Sequence, residues 1–268
     1  MPNVKRLKSK KDKMELTLHY GDCLEVLKTI PDKSIDLIIC DLPYGCLTTP
    51  KIVAGGQTIR MPKEHCAWDI KINLEEFWEQ VKRIRKSEHT PTIHFCITKF
   101  GYDLIKSNES EFRYDLVWDK QRGVSFLSAN KMPMRSHEMI YVFSKAGAYY
   151  NRVDISGNPY IMNRKEDTNT QYNTKRTPTT VNNGTRCVLS VVPHKTSATR
   201  GGHPTEKPSD LYRFLIERYC PVGGTVLDPT FGSGNSVFTA FAMGRSAIGI
   251  EKDLKFFEKA EKRLNALP

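Results

Sequence analysis

After residue 13 the apolar positions of this chain alternate between sheet-like and helix-like stretches. Leu16–Tyr20 reads as a strand and Cys23–Ile30 as a short helix. Ser34–Cys40 is a near-continuous apolar run, suited to a strand buried on both faces. The spacing predicts a helix over Leu74–Lys86 and a strand over Thr92–Ile97. Strands over Phe112–Trp118 and Met139–Phe143 follow, with a loop or short helix between them. A later block repeats the alternation: helix Ser209–Tyr219, strand Thr225–Leu227, helix Asn235–Met243, strand Ser246–Ile250 and helix Lys255–Leu264. Strands interleaved with helices argue for an α/β fold with a mostly parallel sheet.

The pattern breaks between about Lys145 and His203. Residues 168–185, TNTQYNTKRTPTTVNNGT, hold twelve Thr, Asn or Gln in eighteen positions, and no useful helical or strand period survives there. This stretch is an insertion in the scaffold or a small lobe upon it. The first thirteen residues break the pattern differently. Lys5, Arg6, Lys8, Lys10, Lys11 and Lys13 stand against one acid, Asp12. Such a charge block is expected to be disordered and to add non-specific phosphate contacts.

At 268 residues, one domain with a sizeable insertion is expected. The formal net charge of +11 implies a polyanionic partner, with nucleic acid the leading candidate. The longest apolar runs are strand-sized, so no membrane span is expected. The basic N-terminus also lacks the apolar core of a secretory signal. Seven cysteines without a pairing pattern fit a reducing interior, cytoplasmic or nucleoid-associated. Among the seven His and seven Cys no HxxxH or CxxC spacing occurs, and no metal is expected.

Residues 225–251, TVLDPTFGSGNSVFTAFAMGRSAIGIE, carry the strongest cofactor signal. A short strand ends at Asp228, a turn with Gly232 and Gly234 opens a helix, and the next strand ends in Glu251. Glycines at such a turn let a ligand approach the backbone, and an acid closing the second strand suits a ribose diol. The third glycine of the dinucleotide fingerprint is missing, because Val237 stands in its place. Asp228 ahead of the turn would repel a pyrophosphate and favours a cation. S-adenosylmethionine, a small adenosine-bearing cation, satisfies both facts. Only one helix follows Glu251, so the pocket needs another strand. Leu16–Tyr20, ending in Gly21-Asp22, supplies it if the chain is circularly permuted. Asp22 then has two compatible readings, partner of an adenine amine and N-cap of the helix at Cys23.

The run CDLPYG, residues 40–45, places an acid, a proline and a tyrosine at the end of a buried apolar strand, a costly place for a carboxylate. Taken alone it fits a Pro turn with a capping Asp equally well. Taken with the order of the other motifs, it resembles the catalytic tetrapeptide of the beta-type amino-group DNA methyltransferases. In that family D-P-P-Y comes first, a target-recognition region second and the cofactor glycine turn last. Here DLPY stands at 41–44, the polar region at about 148–203, HPTEKP at 203–208 and the glycine turn at 228–234. GDCLEVL (21–27), VWDKQRG (117–123) and HEMIYVFSK (137–145) extend the resemblance over nearly everything after residue 14. It implies a Rossmann-like S-adenosylmethionine-dependent methyltransferase fold, circularly permuted: α/β, with a mostly parallel seven-stranded sheet and helices on both faces. It also implies a catalytic half at 14–147, a target-recognition insertion at 148–203 and a cofactor-binding half at 204–268.

The resemblance carries residue roles with it. Asp41 would accept one hydrogen of a target amine and the backbone carbonyl of Leu42 the other, while Pro43 stiffens the turn. Tyr44 would stack on the target base. Lys207 would meet the methionine carboxylate, and Asp22, Asp228, Phe231, Gly232, Ser233, Gly234, Asn235 and Glu251 would complete the cofactor site. Trp118 and Asp119 match a motif on the target side, although a lone Trp is more often core. His137 and Glu138 read as structural, ordering a strand start. The chain departs from the family pattern at three places. Leu42 replaces the first proline, which is tolerable because that position acts through its carbonyl. Thr230-Phe231 stands where many relatives place Phe directly after the proline. The stretch Cys46–His65, containing Lys51, Gly55-Gly56, Arg60 and Lys63, is longer than in relatives and is either a mobile flap or a surface loop.

Asp at the head of the tetrapeptide favours the N6 amine of adenine, where Ser leans to cytosine N4. Carbon methylation of cytosine is rejected, since Cys220-Pro221 reverses the order of a nucleophilic Pro-Cys. The alternatives kept open are an N4-cytosine methyltransferase, an enzyme acting on RNA or a protein glutamine, and a DNA-binding relative without catalysis. Eight Lys or Arg between Arg152 and Arg200, with Asn and Gln beside them, favour double-stranded DNA as the partner. A homodimer and an associated restriction endonuclease accord with the family but have no signal of their own in the chain.

Overall fold

A computed structural model describes residues 3–8, 14–46, 51–52, 58–59, 69–124, 126, 129–163, 179–196 and 206–267. Most of the stretch Cys46–His65, most of residues 168–185 and the first three residues of HPTEKP lie outside them. In chain order the elements are β1 (Asn3–Lys8), β2 (Glu15–Tyr20), α1 (Cys23–Leu27), β3 (Leu37–Cys40), β4 (Lys51–Ile52), β5 (Thr58–Ile59) and α2 (Leu74–Ile84). Then come β6 (Thr92–Cys96), α3 (Thr98–Ser107), β7 (Phe112–Val124), β8 (Arg135–Phe143), β9 (Ile155–Ser156), β10 (Tyr160–Asn163), β11 (Thr179–Asn182) and β12 (Thr185–Arg186). The last are β13 (Val191–Pro193), α4 (Ser209–Tyr219), β14 (Thr225–Asp228), α5 (Asn235–Ala242), β15 (Ser246–Glu251) and α6 (Leu254–Asn265). They divide into two compact units, one spanning residues up to Asn151 and again from Ser190, the other Arg152–Leu189.

The larger unit is built on a nine-stranded sheet in the order β1-β2-β15-β14-β3-β6-β8-β7-β13. β2, β15, β14, β3 and β6 run parallel, and β8 runs antiparallel to both β6 and β7. The sheet therefore exceeds the expected seven strands by one at each edge. β1, assigned by its charge to a disordered tail, pairs antiparallel with β2 from Asn3↔Tyr20 to Lys8↔Glu15. The open edge of β2 offers it backbone partners, and Lys5 adds an ion pair with Glu261 at 2.8 Å. At the other edge β13, inside the expected insertion, pairs parallel with β7 and buries Val192.

β3 and β6 are buried along their whole length, as a strand covered on both faces must be. Alternate residues feed two cores. Leu37, Ile39, Ile93 and Phe95 pack with α4, α5 and α6, while Ile38, Cys40 and Cys96 pack with α1, α2 and α3. β14 lies near the end of the chain yet in the middle of the sheet, so the fold is circularly permuted. From β14 the sheet grows both ways, through β15 to β2 and through β3 to β6. Such a reversal opens a crevice at the carboxyl ends of the strands.

The smaller unit holds two short antiparallel pairs, β9 with β12 and β10 with β11. All four residues of β10 are exposed, and the Arg186 guanidinium lies 4.7 Å from the Tyr160 ring centre. Among the described residues no helix is long and apolar enough to cross a membrane.

Candidate active site

The crevice at the strand ends is a cavity of ≈ 230 Å³ in the larger unit. Each wall is the continuation of a strand: Gly21-Asp22 after β2, Asp41–Tyr44 after β3, Ile97 after β6 and Pro229–Ser233 after β14. Glu251 ends β15 and Lys252 follows it. Buried Leu42 and Pro43 root the Asp41 turn in the core. At its far end the Gly45 amide donates to the buried Asp69 Oδ1 at 2.8 Å.

Every oxygen of Asp41 has a partner. The Tyr44 hydroxyl donates to Oδ1 at 2.8 Å, the Lys207 ammonium to Oδ2 at 2.5 Å, and the Thr230 hydroxyl to the backbone oxygen at 3.1 Å. The Tyr44 ring also packs 5.1 Å from that of Phe100. Lys207 is buried, 3.4 Å from Glu138 Oε2 and 5.2 Å from the Phe95 ring centre. Glu138 Oε1 is held by Lys120. Burial alone would lower the Lys207 ammonium, but Asp41 and Glu138 outweigh it and raise it above its ordinary range. Burial likewise pushes the Glu138 carboxyl up, and Lys207 with Lys120 overcomes that and holds it below the usual carboxylate range. The result is an alternating row of charges, Lys120, Glu138, Lys207 and Asp41. Glu138, read from sequence as structural, thus stands on the cavity wall.

Gly232 (φ +53°) and Gly234 (φ +82°) take the left-handed backbone conformation that only glycine adopts readily. The Gly232 amide donates to Glu251 Oε2 at 2.9 Å and the Asp253 amide to Oε1 at 2.8 Å. Burial raises the Glu251 carboxyl above its ordinary range. Phe231 lies flush on β15, where a Cβ at Gly249 would fall 2.6 Å from its Cδ1. Phe231, Gly232, Ser233 and Glu251 therefore reach the cavity wall, as do Asp22 and Lys207.

Asp228, Gly234 and Asn235 are not on that wall. Asp228 is 1% exposed and accepts from the Thr230 amide at 2.9 Å and from the Ser236 hydroxyl. Burial pushes its carboxyl up to about 7, so it organises the turn from beneath instead of offering a free charge to a ligand. The Asn235 amide donates to Glu206 Oε1 at 2.6 Å and to the Lys207 carbonyl at 3.0 Å, fixing the segment that carries Lys207. Asp22 caps α1 through the Leu24 amide at 3.0 Å while also lining the cavity. Trp118 is core, donating to the His194 carbonyl at 2.7 Å.

Thr230, Asp69 and Tyr212 also reach the wall and were not marked by sequence. Thr230 was noted only as a departure from the family pattern, and its hydroxyl is what ties the glycine turn to the Asp41 turn. Among the described residues no group of three or more His, Cys, Asp or Glu is placed to hold a metal ion.

A family model described as DNA methylase, covering N6 and N4 methyltransferases, matches residues 35–262. Type II methyltransferase M.HinfI of Haemophilus influenzae is 29% identical over 261 residues, covering 94% of this chain and 68% of that protein. Type II methyltransferase M.ScaI of Streptomyces caespitosus is 25% identical over 265 residues, covering 94% and 82%. Among solved structures, the cytosine-N4-specific PvuII DNA methyltransferase superposes with a TM-score of 0.61 at 16% identity, over 94% of this chain and 86% of that one. M1.HpyAVI in complex with S-adenosylmethionine superposes with a TM-score of 0.57 at 18% identity, over 92% and 98%. The two superpositions agree with the α/β, mostly parallel sheet described above.

Proposed function

This chain belongs to the DNA methylase family, the S-adenosylmethionine-dependent amino-methyltransferases of DNA, and from that premise we propose that it methylates the N6 amine of an adenine swung out of duplex DNA. The observation that carries this reading is the Asp41 carboxylate on the cavity wall, followed directly by Leu42, Pro43 and Tyr44. The lone pair of an exocyclic amine is delocalised into its base, and the amine attacks only when acceptors hold its hydrogens. Asp41 takes one hydrogen and the Leu42 carbonyl the other, which aligns the nitrogen for attack. Tyr44 stacks on the base and returns ~1–3 kcal/mol of the unstacking cost. The choice of adenine rests on Asp, and not Ser, at the head of the tetrapeptide.

S-adenosylmethionine supplies the electrophilic methyl when bound. The wall suits it on three counts. The glycine turn leaves its backbone open to a close ligand. Each Glu251 oxygen accepts one backbone amide and keeps a lone pair for a ribose hydroxyl. Asp22 stands at the end of β2 within the same wall, where an adenine amine is to be met. Residues 152–189 are read as the target-recognition unit.

The test is to incubate the protein with radiolabelled S-adenosylmethionine and mixed-sequence duplex DNA, then digest to nucleosides. Label in N6-methyladenine, lost in Asp41→Ala, is the expected result. Label in N4-methylcytosine keeps the mechanism and replaces the base, an outcome the N6/N4 family match leaves open. An unlabelled DNA fraction overturns the reading.

A further inference from the structure

If Asp41 is the amine acceptor, as proposed above, its surroundings pose a difficulty. A carboxylate has room for about four hydrogen bonds, so two donors do not fill it. An ammonium at 2.5 Å, however, neutralises the charge that must polarise a neutral amine. Lys207 has to ease away for Asp41 to act at full strength. A buried ammonium left without an anion would be strongly destabilising, so a second anion has to receive it.

The structure holds a second anion for it. Glu138 Oε2 is buried and, among the described residues, accepts no hydrogen bond. It lies 3.4 Å from the same Nζ that sits 2.5 Å from Asp41. The other Glu138 oxygen is taken by Lys120, which leaves Oε2 for Lys207. A shift of Nζ by about an ångström would exchange the two distances, and the ion pair would persist throughout.

We propose that Glu138 is a positioning residue for methyl transfer: it draws the Lys207 ammonium off Asp41 as the target amine arrives, and Asp41 then accepts the amine hydrogen as a full carboxylate. No proton changes hands in this step. Glu138 acts only through Lys207, and its loss is felt in the rate of transfer more than in cofactor binding.

The test uses the full chain and a duplex carrying the site mapped with the wild-type protein. Single-turnover methyl transfer is measured at saturating S-adenosylmethionine for Glu138→Gln and Glu138→Asp. Cofactor affinity and melting temperature are measured alongside. Glu138→Gln should slow transfer roughly 10–100-fold while cofactor affinity stays within about threefold, since only transition-state polarisation is lost. Glu138→Asp, which keeps the anion on a shorter arm, should fall between the two. If Glu138→Gln does not fold, Glu138→Asp decides alone, with slower transfer at unchanged cofactor affinity expected. Transfer at the wild-type rate in either case overturns the proposal, and would mean that something else, such as the cofactor carboxylate, draws Lys207 away. Loss of rate, cofactor affinity and melting temperature together also overturns it, as the mark of a structural role. Failure of the functional reading itself would show earlier, as wild-type protein that labels no DNA.

Discussion

At the end of β14 the two oxygens of Asp228 are met by the Thr230 amide and the Ser236 hydroxyl, and almost no water reaches them. Burial dominates, and the carboxyl moves from 3.8 to about 7. In the unfolded chain it releases its proton near 3.8, while the folded protein holds the proton until about 7. Between these values the folded state binds more protons, so stability falls as pH rises through that window and stays lower above it. Asp228→Asn keeps the shape and removes the titration. Its melting temperature relative to wild type should therefore rise between pH 5 and pH 8, by ~3 °C or more for a chain of this size. An equal difference at both pH values would show that Asp228 does not titrate in this window. From sequence Asp228 belongs to the cofactor site, because its charge is visible there and its exclusion from solvent is not. The end of a strand is legible from the apolar pattern, whereas the folding of a turn over its own carboxylate is not. Asp41 occupies the same kind of strand end and keeps its place on the wall, because Lys207 arrives from far along the chain to pair with it.

Strands and helices with a clean period were readable to within a few residues, as β3, β6, α2 and α6 illustrate. The elements that local pattern leaves out have a tertiary cause. α3 carries Gly101 in its middle, a poor helix former, but a Cβ there would meet Tyr141 Cε2 at 2.7 Å. The glycine allows α3 to lie close on β8, and the packing outweighs the propensity. β1 was hidden by its charges and β13 by the polar stretch before it, since edge pairing depends on a partner strand and local pattern does not name one. Gly249 is the same kind of case at the site. It looks like a weak point in β15, yet it is where Phe231 rests, with Val237 and Leu18 close behind. Gly249→Ala should push Phe231 off the strand, destabilise the protein by about 1–3 kcal/mol and weaken S-adenosylmethionine binding. Urea unfolding and calorimetric titration measure the two effects. A destabilised variant that binds the cofactor normally would remove Phe231 from the cofactor wall.

The motif order was legible across the whole molecule because each chemical residue follows a strand end, and strand ends converge in an α/β sheet of this type. The convergence of particular side chains was not, since Lys207 and Asp41 are 166 residues apart and Glu138 lies between them in the chain. All three of these side chains lie in the larger of the two units. All of the cavity wall belongs to the larger one. Residues 152–189 carry six Lys or Arg against three acids, and the side chains of β10 are exposed. If this smaller unit reads the target, replacing it with a neutral Gly/Ser linker should leave cofactor affinity within about threefold and abolish the preference for the mapped site. Each lost phosphate contact should also flatten the salt dependence of DNA binding by ~0.9 in the log–log slope. Anisotropy titrations over a range of salt, on the mapped duplex and on a scrambled one, measure both quantities. A flatter slope with the preference retained would mean that the unit supplies only phosphate contacts. Recognition would then pass to the β7–β8 hairpin, whose strands carry Arg122 and Arg135 and reach the cavity wall through Glu138.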